Sequence, residues 1–449
     1  MDLEEKNSVE KALNRLDILQ KARIPEIPPL YEQMVKDSPS VTTSEGIKRP
    51  LVDLLSYVVV TGGVKQLKGA LKDAGQVTLD ELAQLCELSV QPVRFSERDV
   101  EIIRLLYQDP LMSRAQIGKK LGLHRSTVAH RLIPLIWTDT IRSYPLPDWH
   151  YFGIARLGFL YNCSRLPEII EPRHYARYGR ILPATGFDVL DNWSCPIEEI
   201  PNLRDAYLSL QDQGVIADLE IREYLGLERS YSLAFLLDNP PSLPYIGLEM
   251  KRRLNGHTNN GINQETILRQ KMPYQHAPSH DVFDVGLLEI LRTGFFMDPL
   301  TRSKVAKMLE TSVSTVTRRV ARWQEEKIVI PMLRIGLVAG IVRQGPMLLN
   351  IELTADIKMK ERLYSILEFF PMAFLYEVRV GRRKELVCHL SVPPEMVDLV
   401  CQLPAAARVG NGYRYETLRV PSAEGLFKTF NKRTETWEPL QHVFKERPH

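Results

Sequence analysis

The sequence of 449 residues predicts an α+β protein. It reads as two winged helix-turn-helix domains, each followed by a ferredoxin-like βαββαβ domain, with a helical N-terminal extension. Three observations predict this. A pattern of three short helices and a strand occurs twice. An offset of 188 lays Arg114 on Arg302, Lys119 on Lys307, Leu121 on Leu309, Ser126-Thr127-Val128 on Ser314-Thr315-Val316 and Arg131 on Arg319, with no gap from Ser113 to Ile141. Apolar strands and helices follow each copy in a similar order, which marks a duplicated domain pair rather than a solenoid.

The extension spans 1–95. Val9, Leu13, Leu16 and Leu19 recur at helical spacing, and Pro25, Pro28 and Pro29 end that helix. More helix is expected over 51–88. Thr78 to Cys86 resembles the second helix of a further helix-turn-helix, but Pro92 stands where its third helix should run. This stretch is expected to be a packing element.

The first winged domain spans 96–150. Ser96 caps a helix with Val100, Ile103 and Leu106 on its apolar face. A second helix starts near Ser113, Gly122 permits a tight turn, and a third helix follows with Val128 and Leu132 inward. The stretch from Ile141 to Trp149 forms the wing. The second winged domain spans 281–340, with helices at Asp284–Leu291, from Thr301, and at Ser312–Trp323.

The ferredoxin-like domains span 151–237 and 341–425. The latter reads strand (Met347–Leu353), helix (Ile357–Phe369), two strands turning at Gly381, helix (Pro394–Gln402) and strand (Tyr413–Val420). Residues 238–280, with Asn239-Pro240-Pro241, read as a linker, and cutting there should leave both halves intact. A basic, solvated tail covers 426–449.

A recognition helix must bring small hydroxyl and long cationic side chains to base edges and phosphates. The first copy offers His124, Arg125, Ser126, Thr127, His130 and Arg131. The second offers Ser312, Ser314, Thr315, Thr317, Arg318, Arg319 and Arg322. Residues 96–144 hold eight Lys/Arg against five Asp/Glu, and 301–334 hold eight against three, whereas the whole chain is only +3. Positive charge therefore gathers on the expected readers of double-stranded DNA. Helix-turn-helix units also serve as plain packing or dimerisation modules, which is the competing expectation.

Composition bounds the rest. A hydrophobic content of 44% and a charged content of 25% are ordinary globular values. No apolar run is long enough for a bilayer, and the acidic start lacks the features of a signal peptide. A cytoplasmic, nucleoid-associated protein with no membrane partner is expected. The five scattered cysteines form no C-x-x-C pair, so neither a disulfide framework nor a metal site is expected. No phosphate loop, H-E-x-x-H or G-x-S-x-G occurs. Pro278 separates His276 from His280, which read as solvated linker residues. No catalysis and no cofactor are expected.

With this order of elements, the chain resembles the leucine-responsive regulatory protein (Lrp/AsnC) family. Ala115-Gln116-Ile117-Gly118, Leu121-Gly122-Leu123, Ser126-Thr127-Val128 with Arg131, and Thr140-Ile141 carry the likeness, as do Lys304-Val305-Ala306, Ser314-Thr315-Val316 with Arg318-Arg319, and Lys327-Ile328-Val329. The resemblance implies an archaeal-type, sequence-specific transcription regulator. It also implies a homodimer joined through its effector domains. A small-molecule effector is implied near Gly186, Asp188 and Gly381, although Arg382-Arg383-Lys384 departs from the family pattern in the second copy.

Two alternatives stand beside this. Siroheme decarboxylases resemble the same family and need a strand bearing histidine and arginine. His174-Tyr175-Ala176-Arg177-Tyr178 echoes it, but is read as preceding the strand. The other alternative is a chromatin or nucleoid protein without sequence preference.

Overall fold

The computed structural model describes residues 3–42, 48–91, 95–109, 112–137, 141–164, 167, 175–180, 187–232, 243–254, 267–293, 302–335, 349–367, 370, 372–392, 413–419 and 426–439. The chain is a mixed α+β protein of helices and antiparallel sheets. It divides into two units, one of 1–143 with 295–299 and 333–345, the other of 144–294, 300–332 and 346–449.

The first unit opens with α1 (Leu3–Lys21), a 3-10 turn (Ile24–Glu26) and α2 (Ile27–Met34). Pro25 and Pro28 do more than end a helix. They occupy the first turns of the next two helical segments, where the missing N–H has no bond to lose. A short ribbon of β1 (Ser40–Thr42) and β2 (Lys48–Pro50) leads into α3 (Leu51–Val60), α4 (Val64–Ala74) and α5 (Leu79–Ser89). α3 is buried on nearly every side, which explains its largely apolar sequence, interrupted by Asp53 and Ser56. Thr78 caps α5 reciprocally with Glu81.

Three helices follow: α6 (Glu97–Gln108), α7 (Arg114–Leu121) and α8 (Arg125–Trp137). Ser96 with Asp99, and Ser113 with Gln116, form capping boxes. Gly122 ends α7 at φ +65. A Cβ on Gly118 would lie 2.4 Å from the Leu123 carbonyl oxygen, so only glycine lets this turn close. One side of α8 buries Val128 and Leu132. Ala129, Ile133 and Trp137 join the core of the N-terminal helices, where the Trp137 ring lies 5.0 Å from Tyr31 and 6.4 Å from Tyr57. The extension thus buttresses the third helix.

β3 (Ile141–Pro147) leads into the second unit. There follow β4 (Ile154–Asn162), β5 (Tyr175–Arg180), β6 (Val189–Pro196), α9 (Ile200–Asp212) and β7 (Ala217–Ser232). Next come α10 (Leu243–Leu254), β8 (Ile267–Pro273), α11 (Val282–Thr293), α12 (Arg302–Met308), α13 (Val313–Glu325) and β9 (Val329–Ile335). The chain continues with β10 (Leu349–Asp356), α14 (Lys360–Leu367), β11 (Met372–Val380), β12 (Arg383–Val392), β13 (Tyr413–Arg419), β14 (Phe430–Asn431) and β15 (Thr436–Trp437).

Two four-stranded antiparallel sheets lie in this unit, β5-β6-β4-β7 and β11-β12-β10-β13. In each, the spatial order is second, third, first, fourth. Their outer strands then pair with each other. β13 meets β5, with Tyr415 opposite Arg180, and β7 meets β11, with Met372 opposite Tyr231 and Val380 opposite Arg222. Eight strands therefore close into a hydrogen-bonded ring. The resemblance implied a homodimer joined through its effector domains; within this one chain, the outer strand edges of the two sheets pair with each other.

Two further expectations are corrected. The stretch 238–280 is not a bare linker: it carries α10 and β8, and β8 pairs with β7 from Gly226↔Pro273 to Ser232↔Ile267. The tail after residue 425 is also partly folded. Its β14–β15 hairpin buries Leu426, Phe427 and Phe430, and Trp437 donates its Nε1–H to the Phe152 carbonyl at 2.7 Å. Residues 440–449 lie outside the described part. Among the described residues, no helix is long and apolar enough to cross a membrane.

Candidate nucleic-acid interface

Both third helices start alike. His124 precedes α8, accepts the Ser126 N–H on Nδ1 at 3.3 Å and lies 2.7 Å from the Ser126 hydroxyl. Ser312 caps α13 by accepting the Thr315 N–H at 3.1 Å, and its hydroxyl also bonds those of Ser314 and Thr315. The first helical residues are therefore Arg125 and Val313.

His124, Arg125, Ser126 and His130 are exposed in the first copy, as are Ser312, Ser314, Arg318 and Arg322 in the second. Thr127, Thr315 and Thr317 are half-buried. Arg322 is tied at 3.1 Å to Glu326, the residue that caps the end of its helix, and this bond raises its pKa.

Arg131 and Arg319 depart from their expected role. Arg131 donates to the Ser96 hydroxyl at 2.8 Å and to Asp99 at 3.0 Å. Arg319 donates to Asp284 at 2.8 Å and to Asp281 at 3.0 Å, with its guanidinium 5.4 Å from the Phe283 ring centre. Each arginine thus ties the third helix to the start of the first, and its guanidinium is already engaged inside the protein.

Behind α13 lies a polar junction. Buried Asp284 also accepts the Tyr151 hydroxyl at 3.0 Å. Burial raises the Asp284 pKa, as does Asp281, while Arg319 opposes the shift. Fully buried Asp148 accepts from the backbones of His150, Gln275 and His276 and bonds the His276 ring at 2.8 Å. His280 bonds the Tyr151 carbonyl and stacks on Phe152. These histidines are packed parts of the junction rather than solvated linker residues.

Within the first copy, the positive charge concentrates on the second and third helices. From Ser113 to Trp137 the chain holds Arg114, Lys119, Lys120, Arg125 and Arg131 and no Asp or Glu. Lys119 and Lys120 are exposed beside the exposed start of α8.

Of the expected effector residues, Gly186 lies outside the described residues. Asp188 is exposed at the entry to β6, its N–H donating to the Tyr161 carbonyl. Gly381 makes the β11–β12 turn at φ +57 with open space around it. The structure gives each of these two a local backbone role.

A second polar group was also missed, because β4 reads as plain apolar strand. Arg156 lies 5.8 Å from the Tyr224 ring centre and hydrogen-bonds Tyr274. Tyr224 donates to Asn192 at 2.8 Å and packs on Tyr376, which packs on His389. Burial opposes the charge on Arg156, but Tyr274, Tyr376 and Tyr224 outweigh it and raise its pKa. Among the described residues, no carboxylate pairs with Arg156. The echo motif at 174–178 is corrected too: Tyr175–Arg180 is itself β5, with Arg177 opposite Asp191, and His174 lies outside the described residues.

No family model matches the chain, and no curated protein matches it. Among solved structures it is similar to the siroheme decarboxylase NirDL in complex with an iron-uroporphyrin III analogue, at 13% identity and a TM-score of 0.40, over 72% of this chain and 92% of that one. It is similar to a second structure of siroheme decarboxylase NirDL at 13% identity and a TM-score of 0.39, over 72% of this chain and 91% of that one. Against the expectation that the chain is no enzyme, both of these solved structures are of an enzyme. Neither comparison shows DNA binding.

Proposed function

We propose that the chain is a sequence-specific DNA-binding regulator in which the two three-helix units act as winged helix-turn-helix readers. On this reading the paired sheets are two ferredoxin-like domains joined within one chain. The observation that carries the proposal is the α7–α8 surface, which exposes Lys119, Lys120, Arg125, His124 and His130 on a stretch without a carboxylate. A third helix in the major groove brings Arg125 and Ser126 to base edges, while Lys119 and Lys120 meet the phosphates. Mobility-shift titration of the full chain with duplex DNA tests this. Binding that weakens steeply with salt and falls in K119A/K120A supports it, and no shift at low salt rejects it.

A second reading has its own observation. Arg156, among Tyr224, Tyr274 and Tyr376 and without a carboxylate partner among the described residues, suits the acid group of a small molecule. The ring of strands would then hold an effector or the substrate of a decarboxylase. Absorbance titration with iron-uroporphyrin III tests it: saturable binding that R156A abolishes supports the reading, and an unperturbed spectrum rejects it.

A further inference from the structure

We infer that the two third helices read different bases from one shared helical position: Arg125 takes guanine through hydrogen bonds, and Val313 takes thymine through its 5-methyl group. The inference rests on the duplex-binding reading above and goes on to name what each half-site contains.

The structure fixes the equivalence. Arg125 and Val313 are each the first residue of the third helix, directly after the residue that caps it. Both are exposed, and Val313 is 47% exposed. The inward face of α13 is Val316, Val320 and Trp323, so Val313 adds nothing to that core. An exposed β-branched residue also favours a helix less than the alanine that would fit there. Its apolar surface is unexplained by folding.

Base chemistry supplies an explanation. Among the four base pairs, the major-groove edge presents a single apolar group, the thymine methyl, and small apolar side chains contact it. Ser312 and Ser314 flank Val313 and are short enough to let the helix approach closely. At the same position Arg125 presents a planar fork, which matches the two acceptors of guanine. Net charge agrees with the assignment, since Arg318 and Lys307 remain exposed in the second unit to meet phosphate.

The test is selection from a randomised duplex library by the full chain and by V313R and R125V. The wild type should enrich a site with thymine in one half and guanine in the other. V313R should convert the thymine to guanine, and R125V should relax the guanine. On the enriched duplex, replacing that one thymine by deoxyuridine removes only the methyl group. It should weaken wild-type binding about four-fold, the scale of one buried methyl, and leave V313R, which presents no apolar surface to the methyl, unaffected. An enriched site that is insensitive to deoxyuridine and unchanged by V313R overturns this inference alone. Failure of the wild type to bind or enrich any duplex overturns the duplex-binding reading and this inference with it.

Discussion

Arg319 donates to the buried carboxylate of Asp284 at 2.8 Å, and so holds the third helix of its unit to the first. The side chain of Asp284 is 1% exposed. Arg131 and Asp99 repeat the arrangement at 3.0 Å in a more open setting. Arg318 and Arg319, adjacent in sequence, therefore have different tasks.

R319A should unfold the second unit more easily, by about 3 kcal/mol, because it leaves a buried carboxylate without its cation. R131A should cost roughly 1 kcal/mol. R318A should leave the melting curve unchanged and flatten the salt dependence of DNA binding by about one unit. Thermal melts and salt titrations of the three variants separate the roles. Equal melting of R318A and R319A would contradict this assignment.

The N-terminal core contains a titrating group. Burial pushes the Asp53 carboxyl up to about 6, against the opposing charge of Arg49 at 3.5 Å. Tyr57, bonded to Arg49, and Tyr31 face the same site, and burial pushes the Tyr31 hydroxyl up to about 12. The folded state thus holds the Asp53 proton more tightly than the unfolded state, whose value is 3.8. The stability contributed by this group rises as pH falls from above 6 towards 3.8, by about 3 kcal/mol in full. Urea melts at pH 7.5 and 5 should show the wild type gaining on D53N at the lower pH. Parallel profiles would contradict it.

The closed ring predicts how the chain behaves when nicked. A protease site inserted at Gly261 should yield two fragments that travel together at 51.5 kDa in native light scattering and part only in denaturant. The β13–β5 and β7–β11 pairings hold them. Fragments that separate natively would contradict the account.

The local parts of this fold were legible. The cap at Ser96, the helix starts at Ser113 and Ser312, the glycine turn at Gly122 and the strand–turn–strand at Gly381 depend on neighbouring residues. What the sequence hid depends on distant partners. Alternation in β7 and β11 shows that they are strands, not that Glu223 lies opposite Arg379. A polar composition masked β8, whose place is set by its pairing with β7. Arg131 and Arg319 were assigned to DNA by residue type, and only the fold shows the acids at the starts of α6 and α11 beneath them. Pairing those acids with the arginines was within reach of a capping argument.

The central claim is that the exposed faces of α8 and α13 bind duplex DNA. Fluorescence anisotropy of a labelled 40-base-pair duplex, titrated with the full chain from low to physiological salt, tests it most directly. The account predicts saturable binding with a steep negative salt slope, reduced in K119A/K120A/R125A and in R318A and unchanged in R156A. An anisotropy that stays flat at low salt, or binding that all of these variants retain, would contradict it.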